Sequence, residues 1–120
     1  MQKRKVKIKG APEGAPFLEI LIANNFFTRF AGLMFKKKLP KATALLLTSC
    51  NSVHMCFMRF AIDVIYVDRE CRVIKIVKNL KPWIGLSFCS KAWATLEMSS
   101  GEAERCGLAV GKKLIVEVED

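Results

Sequence analysis

The chain holds one histidine, His54, and one tyrosine in 120 residues. No apolar run approaches the ~18 residues that a membrane-spanning helix needs. Its five cysteines, Cys50, Cys56, Cys71, Cys89 and Cys106, are odd in number and never spaced as CxxC. That spacing excludes a fully paired disulfide framework and a zinc knuckle. No segment repeats, and strands do not alternate with helices, which excludes solenoids and doubly wound parallel sheets. The basic opening MQKRKVKIKG leads into no apolar segment, and the short FLEILIA carries Glu19. It does not read as a signal peptide. A cytoplasmic protein with reduced thiols is the expectation.

What is present is positive charge. Twenty Lys and Arg against eleven Asp and Glu leave a formal net charge of +9. Such a balance favours an acidic partner: nucleic acid, a phosphorylated ligand or an anionic membrane surface. It is equally the mark of a solvated lysine-rich surface. The length fits a single domain over residues 1–120. A hydrophobic content of 52% is enough to build a core without staples.

Residues 3–9 alternate lysine with Val6 and Ile8, which predicts a strand at a sheet edge, where lysine discourages further pairing. GAPEGAP (10–16) is a turn-rich connection, and 17–23 is a second strand. Asn24 or Asn25 caps a short helix whose apolar face carries Phe26, Phe30, Leu33 and Met34. Pro40 ends it after Lys36, Lys37 and Lys38. Residues 42–48 predict a buried strand, and 62–67 a clear one. Residues 68–71 predict a turn and 72–77 the returning arm of a hairpin. Residues 79–85 predict a loop, and 91–98 a further strand. Ser99 with Glu102 forms a capping box for a second short helix that Gly107 stops. Residues 113–118 close the chain as a strand. The sum is mainly β: an antiparallel jelly-roll-like sandwich or barrel with two short helices.

The candidate chemistry lies in residues 45–67, LLLTSCNSVHMCFMRFAIDVIYV. Asp63 stands inside an apolar strand, and a buried carboxylate needs a partner. Arg59 or Arg29 can supply one as a bidentate pair. On one reading such a pair locks a loop to the sheet; on another, Arg59 and His54 line a cleft for an anion. Cys50, His54 and Cys56 are close in sequence, but their spacing is no known zinc motif and a fourth ligand is missing. They read as core thiols, so no metal or cofactor is expected. Lys81 with Trp83, and Phe35 with the three lysines, offer aromatic-plus-basic pairs of the kind that stack bases and hold phosphates.

The chain resembles the domain of unknown function 192 family of small prokaryotic proteins. The resemblance rests on TRFAGLMFKKKLP (28–40), CNSVHMCFMRFAIDVIYVD (50–68), RVIKIVKNLKPW (72–83) and ATLEMSSGEAERCGLAVGKKL (94–114). It implies a jelly-roll-like β-sandwich, with His54, Arg59 and Asp63 at characteristic positions, and implies no established activity. This chain departs from the family pattern at Ala61, where a proline is usual, at Cys71, where a glycine is usual, and at Lys112, where an acid is common. A left-handed turn at Cys71 costs a non-glycine residue roughly 1 kcal/mol or more.

These readings converge on a binding module for an anionic small molecule or peptide. Its candidate ligand-binding residues are His54, Arg59 and Asp63, with Lys81 and Trp83 at the rim. The alternatives are a hydrolase with His54 as general base, and a basic nucleic-acid-binding domain with a steep salt dependence.

Overall fold

The computed structural model describes residues 2–9, 18–23, 41–48, 52–54, 60–82 and 85–117. Nine strands and one helix lie among them: β1 (Gln2–Ile8), β2 (Leu18–Ala23), β3 (Thr43–Thr48), β4 (Ser52–His54), β5 (Ile62–Val67), β6 (Val73–Leu80), β7 (Leu86–Phe88), β8 (Ala94–Ser99), α1 (Glu102–Arg105) and β9 (Leu114–Glu117). Seven strands form one sheet in the order β6-β5-β8-β3-β2-β1-β9, and β4 pairs with β7 in a second, two-stranded sheet. Neighbours in the large sheet run antiparallel except β2 and β3, which run parallel. A parallel neighbour requires a long crossover, and the predicted first helix would belong to it. Residues 24–40 lie outside the described residues.

The sheet curls until its two outermost strands meet. Arg72 bridges Lys113, the Val73 N–H donates to Lys112 O at 2.8 Å, and the Leu114 N–H donates to Cys71 O at 2.9 Å. Side-chain alternation then sorts residues to the inside or outside of the curl. Val6, Ile8, Leu18, Ile20, Ala44, Ile65, Val67, Leu96, Met98 and Leu114 fill the inside, closed over by Ala103, Cys106 and Leu108. Leu21, Leu45, Leu47, Ile62, Val64 and Tyr66 form a second cluster on the outer face. Strand β5 serves both clusters, and all six of its residues are buried.

Two expectations are corrected. Strand β1 is not an edge, because it pairs with both β2 and β9. Its lysines alternate because one side of the strand faces the interior and the other faces water: Lys5, Lys7 and Lys9 are exposed, Val6 and Ile8 buried. Nor does Ser99 cap α1. The N-cap residue is Gly101 at φ 90°, and no side chain of that turn caps it. At the other end Gly107 stops the helix as expected. Its φ is 81°, the Gly107 N–H donates to Glu104 O, and the Leu108 N–H donates to Ala103 O. Those two bonds are a Schellman ending.

Cys71 does occupy the left-handed region, at φ 63°, so the cost expected from the sequence applies. Cys71→Gly removes that strain, although it adds chain entropy to the unfolded state and forfeits the contact of Cys71 with the inner cluster. The net expectation is a gain of up to about 1 kcal/mol in urea unfolding. A loss of stability would show that the thiol's packing outweighs the backbone strain.

Candidate functional site

Asp63 is 1% exposed and points to the inside of the curl, the same side as Ile65 and Val67. One carboxylate oxygen accepts the Asn79 N–H at 2.9 Å. The other accepts the Gly101 N–H at 2.9 Å and the Ala103 N–H at 3.1 Å. Asp63 thus caps α1 from a strand some forty residues away and ties it to the end of β6. Its expected guanidinium partners, Arg29 and Arg59, lie outside the described residues. The chain reverses sharply around it: Ala42, Asn79 and Gly101 all have positive φ.

A second acid joins the same end of the curl. Glu102 accepts the Ala42 N–H at 2.7 Å and two bonds from the Arg105 guanidinium, at 2.6 and 2.8 Å. The Arg105 hydrogen bond is the main reason its carboxyl is held below the ordinary glutamate value; the Ala42 amide and nearby positive charge add to it, and burial opposes them. The same bond pushes the exposed Arg105 up. Burial raises the neighbouring Cys106 thiol. Because the folded pKa of Glu102 lies below the unfolded one, its contribution is complete above about pH 4.3. It is lost as the pH falls through the folded value. Glu102→Gln is expected to lower stability at neutral pH and to flatten the acid limb of a stability–pH curve below about pH 4.3. An unchanged limb, measured by urea unfolding at successive pH values, would assign it to other carboxylates.

The small β4–β7 sheet is fastened to the outer face of the large one. Tyr66 Oη donates to Ser87 Oγ at 2.9 Å. Lys75 Nζ donates to Phe88 O at 3.0 Å and stands 5.9 Å from the Tyr66 ring centroid, within cation–π range. His54 ends β4 opposite Leu86. Thr95 and Glu97 are two further buried polar residues, on β8.

An open cleft of about 430 Å³ lies at the far end of β5, lined by Asp68, Arg69, Glu70, Lys91, Ala92 and Trp93. The turn between β5 and β6 forms one wall. Asp68 shapes it by accepting the Glu70 and Arg72 N–H groups on one oxygen, at 2.9 and 3.0 Å. The turn between β7 and β8 forms the other wall, held by the Trp93 N–H to Val67 O bond at 2.9 Å. Trp93 packs on the inner cluster and Ala92 on the outer one, so the cleft sits on the rim of the curl. Arg69 and Lys91 are exposed and Trp93 is half-buried.

Of the residues singled out from the sequence, Asp63 and the exposed Lys81 lie toward the opposite end of the β5–β6 hairpin, roughly 17 Å from the cleft at ~3.3 Å per residue. Arg59 and Trp83 lie outside the described residues, and His54 is described in its backbone alone. Sequence reasoning passed over Arg69, Lys91 and Trp93. The available signal was a tryptophan and two cations set in two turns that flank the clearest strands. Among the described residues, no three His, Cys, Asp or Glu side chains are grouped to hold a metal ion. No helix among them is long and apolar enough to cross a membrane.

Comparison with known proteins bears on the whole chain. The DUF192 family model, described as "Uncharacterized ACR", matches residues 6–116. A UPF0127 protein of Pyrococcus furiosus is 36% identical over 102 residues, covering 81% of this chain and 85% of that protein. One from Thermococcus sibiricus is 31% identical over 105 residues, covering 84% and 68%. Among solved structures, a candidate transcription regulator of Sinorhizobium meliloti superposes with a TM-score of 0.83 at 18% identity, covering 96% of this chain and 94% of that one. A protein of unknown function from Novosphingobium aromaticivorans gives 0.78 at 22%, covering 96% and 86%. At these identities the two structures attest the fold alone.

Proposed function

Because this chain belongs to the uncharacterised DUF192 (UPF0127) family, we propose a function from its own geometry: a cytoplasmic binding module for an anionic small molecule or peptide, seated in the rim cleft. The observation that carries this reading is the meeting of Arg69, Lys91 and Trp93 around one open cleft. Two cations offer charge-assisted hydrogen bonds to a carboxylate or phosphate. The indole offers a flat apolar wall beside them. Two acids, Asp68 and Glu70, share the cleft with the two cations. One oxygen of Asp68 is engaged by backbone amides, Glu70 is exposed and screened by solvent, and the protein's overall positive charge draws anions in. The free thiols of Cys71, Cys89 and Cys106 suit a reducing compartment.

Trp93 provides the readout. In a Trp83→Phe background it is the sole tryptophan, and its fluorescence reports occupancy of the cleft. Titration with acidic dipeptides, nucleoside monophosphates and sugar phosphates is expected to give a saturable change with at least one of them. Arg69→Gln with Lys91→Gln is expected to weaken it at least tenfold, the value of a single charged hydrogen bond of about 1.5 kcal/mol. The set read from the sequence, His54, Arg59, Asp63, Lys81 and Trp83, is the competing placement. Binding followed by backbone amide shifts in the protein with Trp83 intact, lost in Arg59→Gln and unaffected in Arg69→Gln/Lys91→Gln, would move the site there. Absence of any response from all three ligand classes would sink the binding reading.

A further inference from the structure

The line where the sheet closes carries a row of like charges. On the outer side of the curl, Lys9, Lys113 and Arg72 occupy neighbouring positions on three adjacent strands. The Lys9 N–H donates to Lys113 O at 2.9 Å, and Arg72 pairs with Lys113 across the bridge. Each is followed or preceded by an inward residue, Ile8, Leu114 and Val73, so all three belong to the outer side by alternation. Lys7 continues the row along β1, opposite Ile115, which is 43% exposed. Neighbouring strands stand ~4.8 Å apart and alternate residues ~6.8 Å apart.

Like charges set directly opposite one another on a sheet destabilise it. The usual remedy is an interleaved acid, and on β1 and the two strands paired with it the described acids stand farther along the register, Glu19 and Glu117 both opposite Lys5. Among the described residues no carboxylate pairs with Lys7, Lys9, Lys113 or the Arg72 guanidinium. Arg72 Nη1 instead donates to Gly111 O at 2.9 Å, which fixes its head beside the row. Asp68 meets Arg72 through the backbone N–H. A local rule broken without compensation inside the fold points to a compensating partner outside it.

We infer that Lys7, Lys9, Lys113 and Arg72 form a track for the phosphate backbone of a single-stranded nucleic acid, separate from the rim cleft. A linear row of cations complements a linear polyanion. Anionic membrane surfaces favour a broad patch with several inserting apolar side chains; among the described residues the exposed large apolar side chains near the row are Ile115, opposite Lys7, and Val110, beside the Gly111 carbonyl that holds Arg72. The face is convex, so a flexible single strand can follow it. A duplex with a persistence length of ~150 base pairs touches a convex face over a short arc only. Ile115 gives an unstacked base an apolar seat beside Lys7.

The test is binding of a short labelled oligothymidylate, followed by anisotropy across a salt series. A same-length duplex and phosphatidylserine vesicles serve as parallel probes. The expected slope of log K against log salt is about −0.7 per cation in contact. Lys9→Gln with Lys113→Gln is expected to reduce its magnitude by about 1.4. Lys78→Gln, at the far end of β6 and paired with Glu104 at 3.7 Å, is expected to leave it unchanged. The double variant is also expected to unfold at the parental temperature or above, because it relieves repulsion. No salt-dependent binding of the oligonucleotide, a slope unmoved by the double variant, or a preference for the duplex or the vesicles would overturn the assignment. The Trp93 titration is independent of every one of these outcomes.

Discussion

Asp63→Ala is expected to lower stability by about 4 kcal/mol, a large share of the ~5–15 kcal/mol that holds a domain of this size together. The carboxylate is buried and accepts three backbone N–H groups, from Asn79, Gly101 and Ala103. Hydrogen bonds to a charged group contribute ~1.5–3 kcal/mol each, and a buried amide left without an acceptor costs ~1–3 kcal/mol. The three bonds share one residue, so the losses do not add in full. Asp63→Asn keeps the shape and one acceptor oxygen, but its amide nitrogen then faces donors. We expect it to lose about half as much. The thermal midpoint of the alanine variant falls by ~10 °C or more. Hydrogen exchange separates local from general loss. The Asn79, Gly101 and Ala103 amides lose protection first, while the β5 amides stay near the global value. Uniform loss across the sheet would mean that Asp63 supports the inner core as a whole rather than one corner of it.

That corner shows where local reading of a sequence stops. Ser99 and Glu102 have capping-box spacing, yet α1 begins at Glu102, after Gly101 at the N-cap position, and takes its capping acceptor from Asp63. A contact across some forty residues leaves no local trace; only an acid placed in an apolar strand announces it. That acid was legible. Its backbone partners were not, because amides carry no sequence signature. The lysine alternation in β1 was legible as a strand, but alternation alone does not tell the outside of a curl from a sheet edge. Strand β7 is three residues long, Leu-Ser-Phe, too short for a period to show. The hairpin of β5 and β6 was legible because an apolar run broken only by Asp63, a polar turn and a second run follow one another directly. Strand β6 extends to Leu80, past the expected end, because Leu80 still packs on the outer cluster.

The rim cleft was illegible for a related reason. Arg69 and Lys91 are twenty-two positions apart; the sequence reads as a turn at Arg69 but as a strand from Lys91 onward, whereas β8 begins at Ala94 and Lys91 stands in the turn before it. They meet because β5 pairs with β8 from Ile62 opposite Ser99 to Val67 opposite Ala94. That register brings the end of β5 beside the start of β8. Registry between strands distant in sequence is set by which faces bury together, so a site built from two turns appears only once the sheet is assembled.

Leu96→Ala tests that assembly at its centre. Strand β8 lies between β5 and β3, and Leu96, 1% exposed, points into the inner cluster from the middle of it. Its cross-strand neighbours are Ile65 and Leu46. Removing a buried leucine side chain costs the lost burial plus the cavity it leaves, together ~2–5 kcal/mol. A position held on both sides by paired strands cannot relax inward, so the upper half of that range is expected. Urea unfolding is expected to show a lower midpoint with an unchanged slope, since the folded surface is the same. The consequence for the cleft is specific. Trp93 is joined to β5 through Val67 and packs on the same cluster. At low urea, where the variant is still folded, Trp93 fluorescence in the Trp83→Phe background is therefore expected to match the parent. A shifted spectrum under those conditions would show that cleft geometry depends on packing three positions away from Trp93. The cleft would then be coupled to the core rather than mounted on it.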